Sequence, residues 1–448
     1  MSIRPLMNPL SLSLKQIGAA LFAALVIALP VRADVQIKEM TSPAGIDAWL
    51  VEEHQIPFTA LELRFKGGAS LDAPGKRGAI NLMTALLEEG AGDMDARTFA
   101  RASESLAASF SFRVSDDMVS VSAKFLTANR DEAIALLKQA LVAPRFDADA
   151  IERVRAQVLS NLRSDEKDPN TIARRAFDAQ VFGDHPYGSS RDGTVASVSA
   201  LSREDMIAAH RAVFARDRLF VSAVGDITAD ELGQVIDTLL GELPADGPAL
   251  PKEADPQFAG GIKVIDFNTP QSVVVFGQPG MSIDHPDFFA AYLVDIILGG
   301  GGFESRLMTE VREKRGLTYG VYSYLVDKEY ADIWMGSVAS ANDRVAEAIK
   351  VIRDEWKKAH EQGVTAEELE DAKTYLTGSY PLRFDGNGPI ANIMVNMQLS
   401  GMPASYITTR NERVNAVTLE QANRVSKELL DPARLSFVVV GQPQGLSN

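Results

Sequence analysis

LSREDMIAAHRAVFARDRLFVSAVGD, residues 201–226, and VTLEQANRVSKELLDPARLSFVVVGQ, residues 417–442, lie over one another at a constant offset of 216. Ala200 meets Ala416, Leu219 meets Leu435 and Gly225 meets Gly441. Each stretch reads as an amphipathic helix, a turn and a Val-rich strand, with Ser202 and Thr418 placed as N-caps. Apolar matching between two amphipathic helices is common. A fixed offset across helix, turn and strand is specific. RDEAIALLKQAL (130–141) lies over VAEAIKVIRDEW (345–356) at an offset of 215, so the chain is read as a duplicated domain.

Between the copies, PADGPALPKEADPQFAGG (244–261) is rich in Pro and Gly, lacks apolar periodicity and reads as a linker. It separates residues 34–243 from residues 262–448. In the first half, Ala60 to Lys66 alternates strictly. Leu61, Leu63 and Phe65 take one face and Glu62, Arg64 and Lys66 the other, which predicts a half-buried strand. Val119, Val121, Ala123 and Phe125 repeat the pattern after a Ser115-Asp116-Asp117 turn and predict a hairpin. Further strands are expected at 219–224, 263–268, 272–277 and 435–440. Helices are expected at 78–89, 130–141, 148–164, 203–214, 286–298, 343–359, 366–377 and 419–430. The mixture predicts an α+β fold of two homologous domains, each a mostly antiparallel sheet with helices packed on one face.

The composition is that of a globular protein: 448 residues, 46% hydrophobic and 23% charged. It excludes collagen, a disordered chain and a multi-span membrane protein. The length exceeds what one hydrophobic core serves. With 45 basic and 60 acidic side chains the net charge is −15, a surface that repels phosphate and argues against nucleic acid as a partner. Cysteine is absent, which removes disulfides, thiolate metal sites and a Cys nucleophile. Residues 1–33 read as an export signal. Arg4 and Lys15 precede an apolar run from Ile17 to Leu29, no acid occurs before Asp34, and Val31-Arg32-Ala33 fits a small-x-small cleavage site. The run is too short to cross a bilayer comfortably. A periplasmic location is expected, with no membrane association after cleavage.

Signs of chemistry are sparse. The five histidines (His54, His185, His210, His285 and His360) are nowhere closer than 25 residues, so no helical turn offers a paired imidazole site. There is no Gly-x-Ser-x-Gly nucleophile elbow. Gly299-Gly300-Gly301-Gly302 lacks the Lys of a phosphate-binding loop. That run points either to a close approach by another chain or to a flexible helix exit. Taken alone, Arg312 reads as a solvated helix charge and Tyr319 as a core aromatic.

SRLMTEVREKRGLTYGVYS (305–323) is similar to the Ser-Arg-Leu-x-x-x-(hydrophobic)-Arg-Glu-(Lys)-Arg-Gly-Leu-x-Tyr-x-Val block of the pitrilysin/insulinase-type metallopeptidases. The likeness is to the branch that holds mitochondrial processing peptidase and its bacterial relatives. The Gly-rich run, the duplication and the linker fit as well, and the resemblance covers nearly the whole mature chain. It implies that the two halves form one side of a clam-shell. It also implies an inverted zinc motif, His-x-x-Glu-His, on a first-half helix, with a third ligand, Glu, on a later helix. In GAINLMTALLEEG (78–90) the corresponding positions hold Asn81, Thr84 and Ala85, and the third ligand position falls on Asn161. Glu88 and Glu89 stand on the same predicted helix, but two carboxylates without imidazole make no tight zinc site.

The second-half signature survives. The resemblance implies that Arg312 and Tyr319 hold substrate backbone and polarise the scissile carbonyl, with Gly299, Gly300, Gly301 and Gly302 bordering the cavity. The expectation is a non-catalytic, substrate-binding subunit that binds no metal itself. Its partner would be a homologous zinc-bearing chain, and peptides its substrates. Two alternatives stand beside it: a peptide-binding or scaffold protein without proteolysis, and a self-sufficient enzyme with a dispersed site.

Overall fold

Val- and Phe-rich strands with branched or aromatic side chains favour the pleated sheet, and they build two sheets here. The structure is a computed structural model describing residues 36–446. The segment read as an export signal lies outside the described residues. Along the first half, β1 (Lys38–Thr41), β2 (Asp47–Glu52) and β3 (Phe58–Lys66) are followed by a small ribbon of β4 (Gly90–Ala91) and β5 (Met94–Asp95). Then come β6 (Ser109–Val114), β7 (Met118–Leu126) and β8 (Leu219–Gly225). The second half supplies β9 (Gly261–Asp266), β10 (Gln271–Pro279), β11 (Val321–Lys328), β12 (Ala331–Ala341) and β13 (Ser436–Gly441).

The first sheet has the order β1-β2-β8-β3-β7-β6 and the second β11-β12-β10-β13-β9. Each contains a single parallel pair, β2 with β8 and β13 with β9; every other neighbour pair is antiparallel. Counted from that pair outward, β2-β8-β3-β7-β6 and β9-β13-β10-β12-β11 are one topology, so the offset seen in sequence is a repeat in three dimensions. Helices Arg203–Val213 and Leu419–Leu429 begin as the sequence predicts, with Ser202 accepting from Asp205 N and Thr418 from Gln421 N, each in a capping box.

The predicted helices pack on one face of each sheet. Leu61, Leu63 and Phe65 meet Ile80, Ile134 and Leu137 in the first core. Val274, Phe276 and Trp334 meet Leu293, Ile352 and Trp356 in the second. The opposite faces are covered by exchange. Helix Pro169–Phe182 of the first half lies on β10 and β13, burying Ala173, Phe177 and Val181 against Val273, Val275 and Val438. Helix Asn387–Leu399 of the second half lies on β3 and β8, burying Ala391, Met394 and Met397 against Trp49, Ala60 and Val224. From Ile37 onward the chain forms one compact unit.

The exchange corrects one expectation. β3 is buried on both faces, not half-buried: Glu62 is 7% and Arg64 4% exposed. They tolerate burial because Arg64 Nη1 donates to Glu62 Oε2 at 2.9 Å and Arg64 Nη2 to Asn392 Oδ1 at 2.6 Å on the covering helix. The Ser122 hydroxyl also donates to Glu62. The predicted helix 78–89 is also shorter. It runs Ala79–Ala85, so Glu88 and Glu89 fall beyond its end. The predicted helix 286–298 is Phe288–Asp295, continued as a wider π turn over Ile296–Gly300. No helix among the described residues is long and apolar enough to cross a membrane.

Candidate functional site

The helix Ala79–Ala85 is placed from its N-terminus. Gly78 sits at φ 94, a conformation that favours glycine. The Asp72 carboxylate accepts from Gly78 N and Ile80 N at 2.8 Å each, satisfying amides that helix geometry leaves free. Burial outweighs these donors and pushes the Asp72 carboxyl up to about 6. Helix Ala148–Asp165 runs beside it. Together they form an open cavity of about 530 Å³ lined by Asn81, Ala85, Gln157, Asn161, Asp165 and Asp192, among others. The structure thus brings three of the four positions singled out in the sequence, Asn81, Ala85 and Asn161, to one site. Thr84 turns away: it is buried and its hydroxyl donates to Ile80 O at 2.8 Å.

These residues do not fit zinc. The site offers carboxamides and a methyl group where imidazole or carboxylate ligands are needed. Among the described residues no group of three His, Cys, Asp or Glu side chains could hold a metal ion. Glu89 is engaged by Arg153 and Glu88 is exposed, and neither lines the cavity.

Arg312 and Tyr319 also come together, lining a hollow of about 480 Å³ with Gln271, Thr318, Ser340 and Arg344. The reading of Tyr319 as a core aromatic is overturned, whereas Arg312 does stand on a helical turn, Met308–Glu313. Tyr319 is 90% exposed, not a core aromatic. Arg312 is partly buried, with its guanidinium 4.9 Å from the ring centroid of Phe303. The backbone that presents the phenol is pinned. Leu317 is buried, the Thr318 hydroxyl donates to Ala339 O on β12 at 2.7 Å, and Arg344 donates to Gly316 O and Arg315 O. The pinned backbone carries an exposed phenol beside a stacked guanidinium, two groups that can donate to an oxygen acceptor.

The glycine run stands apart from this hollow. Gly299 approaches a strand of the same half: a Cβ there would lie 2.6 Å from Ser323 N on β11. The run therefore lets the π turn lie close against β11. Beneath it, Asp295 is buried, accepts from the Ser323 hydroxyl at 2.8 Å, and is pushed by burial up to about 7. Gly301 borders a smaller cavity of about 100 Å³ with Ile297, Asp371 and Tyr375. The first-half and second-half sites share no lining residue.

Sequence reasoning missed Gln157, Asp192, Phe303 and Arg344. Gln157 was reachable, lying four residues before Asn161 on one helix face. The contact of Phe303 with Arg312 depends on the turn after the glycines, which carries no periodic signal.

Comparison with known proteins gives one family. Residues 49–195 match the family model described as insulinase, peptidase family M16, and residues 200–376 match the one described as peptidase M16 inactive domain. The chain is 28% identical over 389 residues to the non-peptidase homolog YmxG of Helicobacter pylori, covering 87% of this chain and 90% of that one. It is 26% identical over 383 residues to the uncharacterized zinc protease SCO5738 of Streptomyces coelicolor, covering 84% and 83%. Among solved structures, the peptidase M16 inactive domain from Pseudomonas fluorescens superposes with a TM-score of 0.86 at 28% identity, covering 92% of this chain and 99% of that one.

Proposed function

This chain belongs to the M16, insulinase-type, peptidase family, and from that premise we propose that it is the non-catalytic, peptide-binding subunit of a two-chain zinc metallopeptidase exported to the periplasm. The partner in this reading is a homologous chain that keeps the zinc ligands. The observation that carries the reading is the pinned, open Arg312–Tyr319 pair in a chain whose own zinc-motif positions hold Asn81, Thr84, Ala85 and Asn161. Nothing in the first half of this chain needs a polarising phenol. A substrate carbonyl held at a partner's zinc does.

Tyr319 would donate its hydroxyl hydrogen to the oxygen on which charge develops, and Arg312 would grip a neighbouring substrate oxygen through its planar fork. Mixing the chain with its zinc-bearing homologue tests this. The chain alone should hydrolyse nothing and the mixture should cleave peptides. Tyr319→Phe should lower kcat on the order of 10²-fold while the two chains still co-elute. Arg312→Ala should act in the same direction. Full activity in both variants overturns the assignment.

A second reading, peptide capture or scaffolding without proteolysis, is supported by the likeness to a relative named a non-peptidase homolog. It predicts that no zinc-bearing chain co-purifies while unfolded peptide still binds.

A further inference from the structure

The four glycines end in a turn that holds an aromatic ring out in water. Gly302 has φ 66, a conformation that favours glycine. It opens the short 3₁₀ turn Gly302–Glu304. The chain is tied down on both sides of that turn. Upstream, Gly299 lies close against Ser323 on β11. Downstream, Ser305 is buried, and its hydroxyl and amide both donate to Gly302 O, at 3.0 and 3.3 Å. Arg306 follows and donates to the two carboxylate oxygens of Glu368 at 2.6 and 2.7 Å, on helix Ala366–Ser379. Between these anchors stands Phe303, 63% exposed. A ring so exposed adds little to folding, since most of its apolar area stays in water.

What the ring does touch is Arg312. The guanidinium carbon lies 4.9 Å from the Phe303 ring centroid, and among the described residues that side chain makes no hydrogen bond and no ion pair. The other three arginines between residues 300 and 344 are all committed to oxygen. Arg306 is held by Glu368, Arg315 by Glu310 at 2.7 Å, and Arg344 by Gly316 O and Arg315 O. The distinction is chemical. A carboxylate fixes a guanidinium by occupying its in-plane N–H groups. The face of a ring attracts the cation through its quadrupole and leaves those N–H groups for other acceptors. Arg312 is thus held in place with its donors unspent, at the edge of the hollow it lines with Tyr319.

We propose that Phe303 is a positioning residue for Arg312: the anchored glycine turn sets its ring against the guanidinium and so orients that side chain without consuming its donors. What the orientation serves rests on the reading of Arg312 given above. The orientation itself does not.

The orientation is tested on the full chain without a partner, carrying isotope-labelled arginine. By NMR the Nε–H resonance of Arg312, identified by its loss in Arg312→Lys, should be displaced upfield by the ring current and show restricted motion. Phe303→Leu should return it to the position and mobility of a solvated arginine. Phe303→Tyr, which keeps a ring, should not. Phe303 is exposed, so its variants should melt with the parent, which separates a lost contact from a lost fold. An Arg312 resonance unmoved by Phe303→Leu overturns the proposal.

Function is read in the mixture with the zinc-bearing homologue. Phe303→Leu should lower kcat/KM about 2–5-fold, the size of one exposed guanidinium–ring contact, and Phe303→Tyr should recover most of the loss. Because Phe303 acts through Arg312, Phe303→Leu should cost nothing further in an Arg312→Ala background. A further loss there means that the ring touches substrate itself, and it overturns the positioning role. Full activity of Arg312→Ala would sink the clamp reading alone, and the arginine spectra would still decide whether Phe303 holds the side chain.

Discussion

The two helix-walled cavities are copies of one backbone arrangement, and their chemistry has diverged completely. In the first half a regular helix, Ala79–Ala85, presents Asn81 and Ala85 to a wide opening. In the second, the equivalent turn is a π turn from Ile296 to Gly300, and Gly299 lets it lie flat against β11. The π turn's i→i+5 bonding shifts the side chains that follow relative to a regular helix, and the cavity beside it is the smaller one. The first-half copy thus keeps a frame in which side chains from two helices converge, whatever those side chains are. In the second-half copy the frame is taken up by packing, and the exposed Tyr319 lies in a separate hollow.

The largest effect tests that claim directly. Asn81→His, Ala85→His and Asn161→Glu together restore the two-imidazole, one-carboxylate set on the first-half frame. Equilibrium dialysis should then give one Zn²⁺ per chain with a Kd on the order of 1 µM or tighter, about 8 kcal/mol, still short of dedicated structural sites. The matching triple in the second half, Ile297→His, Gly301→His and Tyr375→Glu, should bind none, because a Cβ at Gly301 would meet Ile296 O at 2.6 Å. Equal zinc binding by both triples would break the comparison.

The exchanged helices offer a second contrast. Under helix Asn387–Leu399 the sheet carries the buried Glu62–Arg64 pair. Under helix Pro169–Phe182 the equivalent strand β10 carries Val275 and Gly277, and the Phe177 ring fills the space glycine leaves: a Cβ there would lie 2.7 Å from Phe177 Cζ. One joint is polar and one apolar. Phe177→Ala should cost about 3–5 kcal/mol of unfolding free energy, and Met394→Ala on the polar joint less, near the lower end of ~2–5 kcal/mol. Urea denaturation curves of the two variants check the order. A larger loss for Met394→Ala would mean that the apolar joint is not the stronger of the two.

Much of this architecture is legible from periodicity and the repeat. The offset of 216 marks the helix–turn–strand unit, and the Ser202 and Thr418 caps fall where the pattern places them. The exchanged helices are not legible. PNTIARRAFDAQVF and NGPIANIMVNMQL mix apolar and polar residues in ways that read equally as surface, because which sheet they cover is fixed by contacts more than 90 residues away in sequence. For the same reason Glu62 and Arg64 look like a solvent face until the covering helix is in place. At the site, the ligand positions are legible through the resemblance, which carries Asn81 and Ala85 as a local motif and Asn161 as a position on a later helix. The hollow of Tyr319 is not, since it depends on Arg344 and β12 pinning a loop from outside the motif.

The smallest effect separates the two site helices by pH. Asp295 lies buried in the second-half helix two positions before Ile297; the residue two positions before Asn81 is Ala79, which cannot titrate. With its carboxyl raised from the ordinary 3.8 to about 7, folded Asp295 keeps a proton that the unfolded chain has released between about pH 4 and pH 7. Stability therefore falls as pH rises through that window, and the full penalty is present above it. Asp295→Asn stays neutral and keeps an acceptor for the Ser323 hydroxyl. The variant should match the parent near pH 4 and be more stable at pH 8, by about 2 kcal/mol against a ceiling of ~4 kcal/mol for three pH units. Asp72 and Asp332 are also raised, to about 6 and about 7, but they titrate in both proteins and cancel in the difference. Denaturation midpoints at pH 4, 6 and 8 measure it. Parallel curves for parent and variant would mean that Asp295 is ionised in the folded protein, and that the π turn shields a charge rather than a neutral acid.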